Sequence, residues 1–369
     1  MKKAQSYIEQ RLAQRRAAQA FRQLSTENGL IDFSSNDYLG FARLLPRLIV
    51  HSEDGGATGS RLLTGNSAFC ESLETTLAQQ FGAAAALIFN SGYDANLGLI
   101  SALAQRGDTI IYDQLSHASI RDGLALSNAK TWAFAHNDLG DLEEKLSRAS
   151  GIKYIITESV FSMDGDVAPL KAIAHLATKY DAALIVDEAH GVGVYGDCGE
   201  GLCNLEQIDN QLFAKIITFG KAFGGHGAVV LGNQELRDYL INFARPFIYS
   251  TALPKHSLSV IQAGVKLLAN QHESLAQLRS NIAHFTKGLG EKLKPYWIES
   301  DSAIHTIIIP DNAKVKATAG LIQQAGYDVR AILHPTVPKG KERLRICLHA
   351  FNTKSEIDGL LDILNKILN

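Results

Sequence analysis

Seven short apolar runs, each closed by polar or small residues and separated by stretches of helical period, constrain the fold of this 369-residue chain more than any other feature. They are Ala84 to Asn90, Thr109 to Tyr112, Thr131 to Phe134, Tyr154 to Thr157, Ala183 to Val186, Ala214 to Thr218 and Ala228 to Leu231. Helical spacing fills the intervals from about Asp94, from about Ser119, over Leu142 to Ser147 and over Leu170 to Tyr180. Strands this short and apolar are buried on both faces, which requires helices on both sides and favours parallel pairing. The expected fold is α/β, a mainly parallel sheet sandwiched by helices, and its ligands belong beyond the carboxyl ends of the strands.

Flanking segments extend this frame. Residues 4–24 read as an amphipathic helix, with Ile8, Leu12, Phe21 and Leu24 near one face. A small-residue loop, Gly55 to Arg61, precedes a helix marked by Phe69, Leu73, Leu77 and Phe81 and closed by Gly82. Pro254 to Leu289 reads as largely helical, and beyond it strand-like and helical runs make a smaller α+β domain. The expected boundaries are 1–40 for the N-terminal helix and arm, 41–253 for the large domain and 254–369 for the linking helices and C-terminal domain.

Charge and cysteine content narrow the function. A formal net charge of -2 carries no electrostatic footprint for nucleic acid or an anionic membrane, so any phosphate must be bound locally. No stretch reaches transmembrane length and the N-terminus lacks a signal-peptide core, so the cytoplasm is the expected location. Cys70, Cys198, Cys203 and Cys347 lack paired metal-ligand spacing, which points to reduced thiols and no metal site.

Lys221 follows the apolar run Ile216-Ile217-Thr218-Phe219 and precedes small, turn-forming residues. An amine at the end of a buried strand is partly desolvated, which disfavours its ammonium form and makes it a nucleophile near neutral pH. A lysine that only caps a strand end is the plain alternative. A phosphate-loop reading of Gly220-Lys221 fails, because Lys215 stands where its first glycine should be and Ala222 where Ser or Thr should follow. Gly191 to Gly196 matches the dinucleotide glycine spacing, yet loop-forming residues follow it where a helix is required. Asp187 ends another buried strand, and Asn90-Ser91-Gly92-Tyr93 can open a helix onto a phosphate. A nucleophilic lysine, a strand-end carboxylate and local phosphate donors are what pyridoxal phosphate requires: an amine for its aldehyde, an anion for its ring nitrogen, donors for its phosphate. Lys221, Asp187, and Thr218 with Gly92 and Tyr93 supply them; His117 can cover the ring, and Ser162 or His190 can reach its phenolic oxygen.

Thr218-Phe219-Gly220-Lys221, Val186-Asp187-Glu188-Ala189-His190-Gly191 and Ser34 to Gly40 resemble the signatures of the α-oxoamine synthases, within the fold type I pyridoxal-phosphate-dependent enzymes. Supporting stretches run from Phe134-Ala135-His136-Asn137-Asp138 to Pro335-Thr336-Val337-Pro338 and Arg343-Leu344-Arg345, so the resemblance spans nearly the whole chain. It implies a homodimeric acyltransferase with active sites at the subunit interface. It further implies that Lys221 binds the cofactor covalently, Asp187 pairs with the ring nitrogen, His117 stacks, and Ser162 and His190 hold the phenolic oxygen. Thr218, Gly92 and Tyr93 would lie near the phosphate, with Thr251 reaching it from the other subunit. Arg345 would grip an amino-acid carboxylate, while Arg22, Asn36 and Thr336 match substrate-contacting positions. The implied substrates are L-alanine and a pimeloyl thioester carried on coenzyme A or acyl carrier protein. Two departures stand out: Ala57 and Thr58 occupy positions of the glycine-rich loop where Gly or Ser is commoner, and the segments before Asp32 and between Phe41 and Gly55 are short.

Overall fold

The computed structural model describes all residues except 1, 25, 27, 28, 48–54, 271 and 369, so most of the short segment before Gly55 lies outside the described residues. In chain order the strands are β1 (Ile31–Asp32), β2 (Ala85–Phe89), β3 (Thr109–Asp113), β4 (Lys130–Phe134), β5 (Lys153–Glu158), β6 (Ala182–Asp187) and β7 (Ala214–Thr218). They continue as β8 (Ala228–Gly232), β9 (Trp297–Ile298), β10 (Ile304–Ile308), β11 (Tyr327–Asp328), β12 (Arg330–Ile332) and β13 (Arg343–Cys347). Two compact units result: Asn36–Ser162 with Val167–Leu278, and Met1–Ser35 with Met163–Asp166 and Arg279–Asn369. The division falls inside the helix His272–Gly288, whereas the sequence reading places it at 253/254.

The larger unit holds the seven-stranded sheet in the order β2-β8-β7-β6-β5-β3-β4. All pairings from β7 to β4 are parallel, and β8 runs antiparallel to both of its neighbours. Every residue of β2 is buried, as are all but the first of β5, which is why these strands read as unbroken apolar runs. Leu87, Phe89, Ile110, Ile156, Ile185, Ile216 and Val230 pack against Leu99, Ile100, Ile120 and Leu124 of two covering helices. The adjacent strands β5, β6 and β7 bring their carboxyl ends together, with Glu158 opposite Asp187 and Asp187 opposite Ile216. Those registers fix where the polar residues that follow each strand must emerge.

The smaller unit has an antiparallel sheet, β12-β13-β10-β9, and a parallel pair, β1-β11. Helices Asn312–Gln324 and Lys354–Ile367 belong to it, the second closed by a capping box between Thr353 and Glu356. The first helix corrects the sequence reading: it spans Lys2–Ala17, and Phe21 and Leu24 lie beyond it. Ile8 and Leu12 are exposed, so no apolar face is buried along it in this chain. The spacing of Ile8 and Leu12 is helical, but Arg11, Arg15 and Arg16 surround them, leaving no stripe wide enough to pack. Among the described residues no helix is long and apolar enough to cross a membrane, and no group of three or more His, Cys, Asp or Glu could hold a metal ion.

Candidate active site

Lys221 lies in the turn after β7, half-buried, its Nζ 2.7 Å from His190 Nε2. The turn is tight because Gly225 N donates to Phe219 O and Gly224 N to Lys221 O. At Gly224, φ is 62° and a Cβ would lie 2.1 Å from Ala42 N, so the close approach of that backbone requires glycine. His190 follows β6, and its Nδ1 stands 2.6 Å from the buried Tyr38 hydroxyl. Tyr38 Oη also donates to Asn36 Oδ1 at 3.2 Å, so a candidate substrate residue joins the same chain of hydrogen bonds.

Asp187 is 6% exposed at the end of β6. Its Oδ1 accepts from Ala189 N at 2.8 Å and its Oδ2 from Asn96 Nδ2 at 2.7 Å. Asn96 Nδ2 also donates to Ser119 Oγ at 3.1 Å, and Ser119 Oγ stands 2.8 Å from His117 Nδ1. Ser119 N donates to that same Nδ1, which caps the helix Ala118–Leu126 and leaves the ring proton of a neutral His117 on Nε2. As a residue His117 is exposed in this chain, although its ring is partly desolvated. Burial lowers its pKa, Asp187 opposes that shift and Lys221 reinforces it, so one imidazole senses both charged groups.

Glu158 ends β5 and accepts His117 N at 2.5 Å. Full burial, with Asp187 beside it, raises its pKa to about 8, so it is mostly protonated near neutral pH.

A phosphate-sized anion finds its donors at the helix Gly92–Leu103, where Ser91 caps the first turn by accepting Asp94 N. Gly92 faces Thr218 so closely that a Cβ there would lie 3.4 Å from Thr218 Oγ1. Thr218 Oγ1 itself accepts Gly220 N and donates to Gly227 O. The Tyr93 hydroxyl, by contrast, is bonded to Asp122, so only its backbone remains for a phosphate. Ser162 is half-buried in the loop after β5, and Thr251 is exposed, its carbonyl accepting Asn90 Nδ2 at 2.8 Å.

Pyridoxal phosphate fits this donor set: a lysine amine, a carboxylate held at both oxygens, an imidazole with an open face and a helix N-terminus beside a threonine hydroxyl. The glycine decoy does not carry a dinucleotide. Gly191 to Gly201 forms turns followed by a four-residue helix, Leu202–Leu205. Gly191 instead makes room for the buried Glu188, since a Cβ there would lie 1.9 Å from Glu188 Oε2.

Arg22, Thr336 and Arg345 belong to the smaller unit. Two of these are brought together across 314 positions of sequence, with Arg22 Nη2 donating to Thr336 Oγ1 at 3.0 Å. Arg345 is buried in β13 opposite Thr306, with Nη1 3.0 Å from Cys347 Sγ. The neighbouring Arg343 is occupied by Asp164 and by Lys341 O. Asn96, Ser119, Glu158 and Tyr38 were not singled out as site residues from sequence. The available signal for Asn96 was a polar residue at helical spacing among Ala95, Leu99 and Ile100, all fully buried.

The profile of aminotransferase class I and II matches residues 28–364. The chain is 41% identical to the 8-amino-7-oxononanoate synthase of Emericella nidulans, over 90% of this chain and 88% of that one. It is 40% identical to the protein of that name from Klebsiella pneumoniae, over 98% of each. Among solved structures, the 8-amino-7-oxononanoate synthase of Francisella tularensis superposes with a TM-score of 0.80 at 32% identity, over 93% of this chain and 98% of that one. A serine palmitoyltransferase from S. paucimobilis, bound to pyridoxal phosphate and myriocin, gives 0.85 at 30% identity, over 91% and 87%.

Proposed function

We propose that this chain, which belongs to the aminotransferase class I and II family, is a pyridoxal-phosphate-dependent 8-amino-7-oxononanoate synthase of biotin synthesis. It joins L-alanine to a pimeloyl thioester, with loss of carbon dioxide and release of the thiol carrier. The observation that carries the reading is the placement of Lys221, Asp187 and His117 at the carboxyl ends of β7, β6 and β3 of one sheet, in a chain about 40% identical to synthases of that name. When bound, pyridoxal phosphate supplies an aldehyde for amines and a ring that accepts electrons from the carbon beside the bound nitrogen.

Lys221 would hold the group through Nζ, Asp187 at its ring nitrogen, and Ser162 and His190 at its phenolic oxygen. Gly92, Tyr93, Thr218 and, from the second subunit of a homodimer, Thr251 would hold its phosphate. Asp187, held at both oxygens by Asn96 Nδ2 and Ala189 N, would accept from the protonated ring nitrogen. With its Nζ free, Lys221 would take the α-proton of alanine as a general base and later return a proton to the same carbon. His117 covers the ring and, with its proton on Nε2, donates to the acyl oxygen as the new carbon–carbon bond forms. Arg345 binds the alanine carboxylate, for which a planar guanidinium is suited. Arg22 and Thr336 bind the far carboxylate of the pimeloyl chain, and Asn36 contacts the substrate.

Dimerisation is supported by exposed apolar residues on the larger unit, Leu63 at 81% and Tyr249 at 72% among them. Free Cys70, Cys198, Cys203 and Cys347 favour a reducing compartment, the cytoplasm. The rival reading, a synthase that couples serine or glycine to another acyl group, draws on the similarity to serine palmitoyltransferase. The test is mass-spectrometric detection of 8-amino-7-oxononanoate from alanine with pimeloyl-coenzyme A or pimeloyl-acyl carrier protein, in parallel with serine and palmitoyl-coenzyme A. Lys221→Ala should abolish both product and the visible absorbance of the lysine-bound cofactor; persistence of that absorbance in the variant overturns the assignment.

A further inference from the structure

We propose that Tyr38 is a positioning residue for the reacting lysine, its hydroxyl deciding which His190 nitrogen carries the proton and thereby how readily Lys221 gives one up. This rests on Lys221 being the cofactor-bearing amine. Tyr38 is fully buried and His190 is 5% exposed, so neither polar group can rely on bulk water. Their atoms form one line: Asn36 Oδ1 lies 3.2 Å from Tyr38 Oη, which lies 2.6 Å from His190 Nδ1, and His190 Nε2 lies 2.7 Å from Lys221 Nζ.

A neutral imidazole carries one N–H, and a phenol can donate once while still accepting. Of the proton arrangements that satisfy the line, two differ in the charge they favour on Lys221, because an ammonium can donate to Nε2 but cannot accept from it. In the first, the Tyr38 hydroxyl donates to Asn36 and accepts Nδ1–H, leaving Nε2 to accept from the Lys221 ammonium. In the second, the hydroxyl turns to donate to Nδ1, the ring proton sits on Nε2, and Nε2 donates to a neutral Lys221 amine. The second holds one proton fewer, which half-buried Lys221 can lose to water. Ionisation of the amine is thus tied to rotation of a buried hydroxyl 152 positions from His190 in sequence.

Tyr38→Phe keeps the ring and removes the acceptor for Nδ1–H, which disfavours the first arrangement and the ammonium that depends on it. Asn36→Ala removes the acceptor that draws the hydroxyl away from Nδ1 and pushes the same way without touching the buried ring. The readout is the pH dependence of Lys221 acetylation in cofactor-free protein, resolved by peptide mass spectrometry with the surface lysines as internal standards. The expected result is a midpoint lowered by about one pH unit in both variants, a size set by loss of one hydrogen bond coupled to a charge. An unchanged or raised midpoint in Tyr38→Phe overturns the proposal, and if that variant fails to fold, the Asn36→Ala midpoint decides it alone. Failure of the functional reading looks different: the parent protein with pyridoxal phosphate would then show no Lys221-dependent visible absorbance, whatever the acetylation midpoints.

Discussion

Asn96→Ala tests how the site holds its carboxylate. The amide is 2% exposed and donates to both Asp187 Oδ2 and Ser119 Oγ, while its own Oδ1 has no hydrogen-bond partner among the described residues. Truncation removes a bond to a charged acceptor, roughly 1.5–3 kcal/mol, and a neutral one, about 1 kcal/mol. It also removes the unsatisfied carbonyl, which returns roughly 1–3 kcal/mol. The net loss of folding stability is therefore only about 1 kcal/mol. The larger effect falls on binding. Asp187 keeps Ala189 N on one oxygen and loses the donor that orients the other, so pyridoxal phosphate should bind about tenfold more weakly, or about 1.4 kcal/mol. Titration of the cofactor-free protein by visible absorbance measures this, with urea unfolding in parallel. An affinity within about twofold of the parent, at whatever stability, would refute the idea that Asn96 positions the carboxylate for the cofactor.

Arg22→Ala should raise KM for the pimeloyl thioester by about tenfold through loss of a charged contact, and leave KM for an acyl thioester lacking the far carboxylate unchanged; equal effects on both would remove Arg22 from substrate recognition. Glu74→Ala should cost about 3–5 kcal/mol in urea unfolding, because this 2%-exposed carboxylate is shared by Arg61, Arg237 and Ile88 N. A loss below about 1 kcal/mol would show that the two guanidinium groups reach water unaided. His305 is fully buried with neither ring nitrogen hydrogen-bonded among the described residues, and burial lowers its pKa to about 3. The folded state therefore prefers the neutral ring: this contribution to stability is complete above the unfolded pKa near 6.5 and is lost as pH falls towards 3. His305→Phe should flatten the acid limb of the stability profile by up to about 1.4 kcal/mol per pH unit below about pH 6; parallel limbs for parent and variant would contradict it.

The strand alternation was readable because burial on both faces leaves an unbroken apolar run, as in β2 and β5, and the polar residue that ends such a run must lie at the sheet's edge. That logic pointed to Lys221 and Asp187 from sequence alone. The antiparallel course of β8 was not readable, since a buried strand has the same composition in either direction. Nor was the exposure of Ile8 and Leu12, which helical spacing had suggested would pack. Tyr38 had the composition of a turn and Asn96 that of a helix interior. Their meaning depends on which side chain stands within hydrogen-bonding distance, His190 for one and Asp187 for the other, across 152 and 91 positions. A sequence records which groups need a partner once desolvated, and only the folded chain selects the partner, because hydrogen bonding depends on ångström distances that local pattern does not encode.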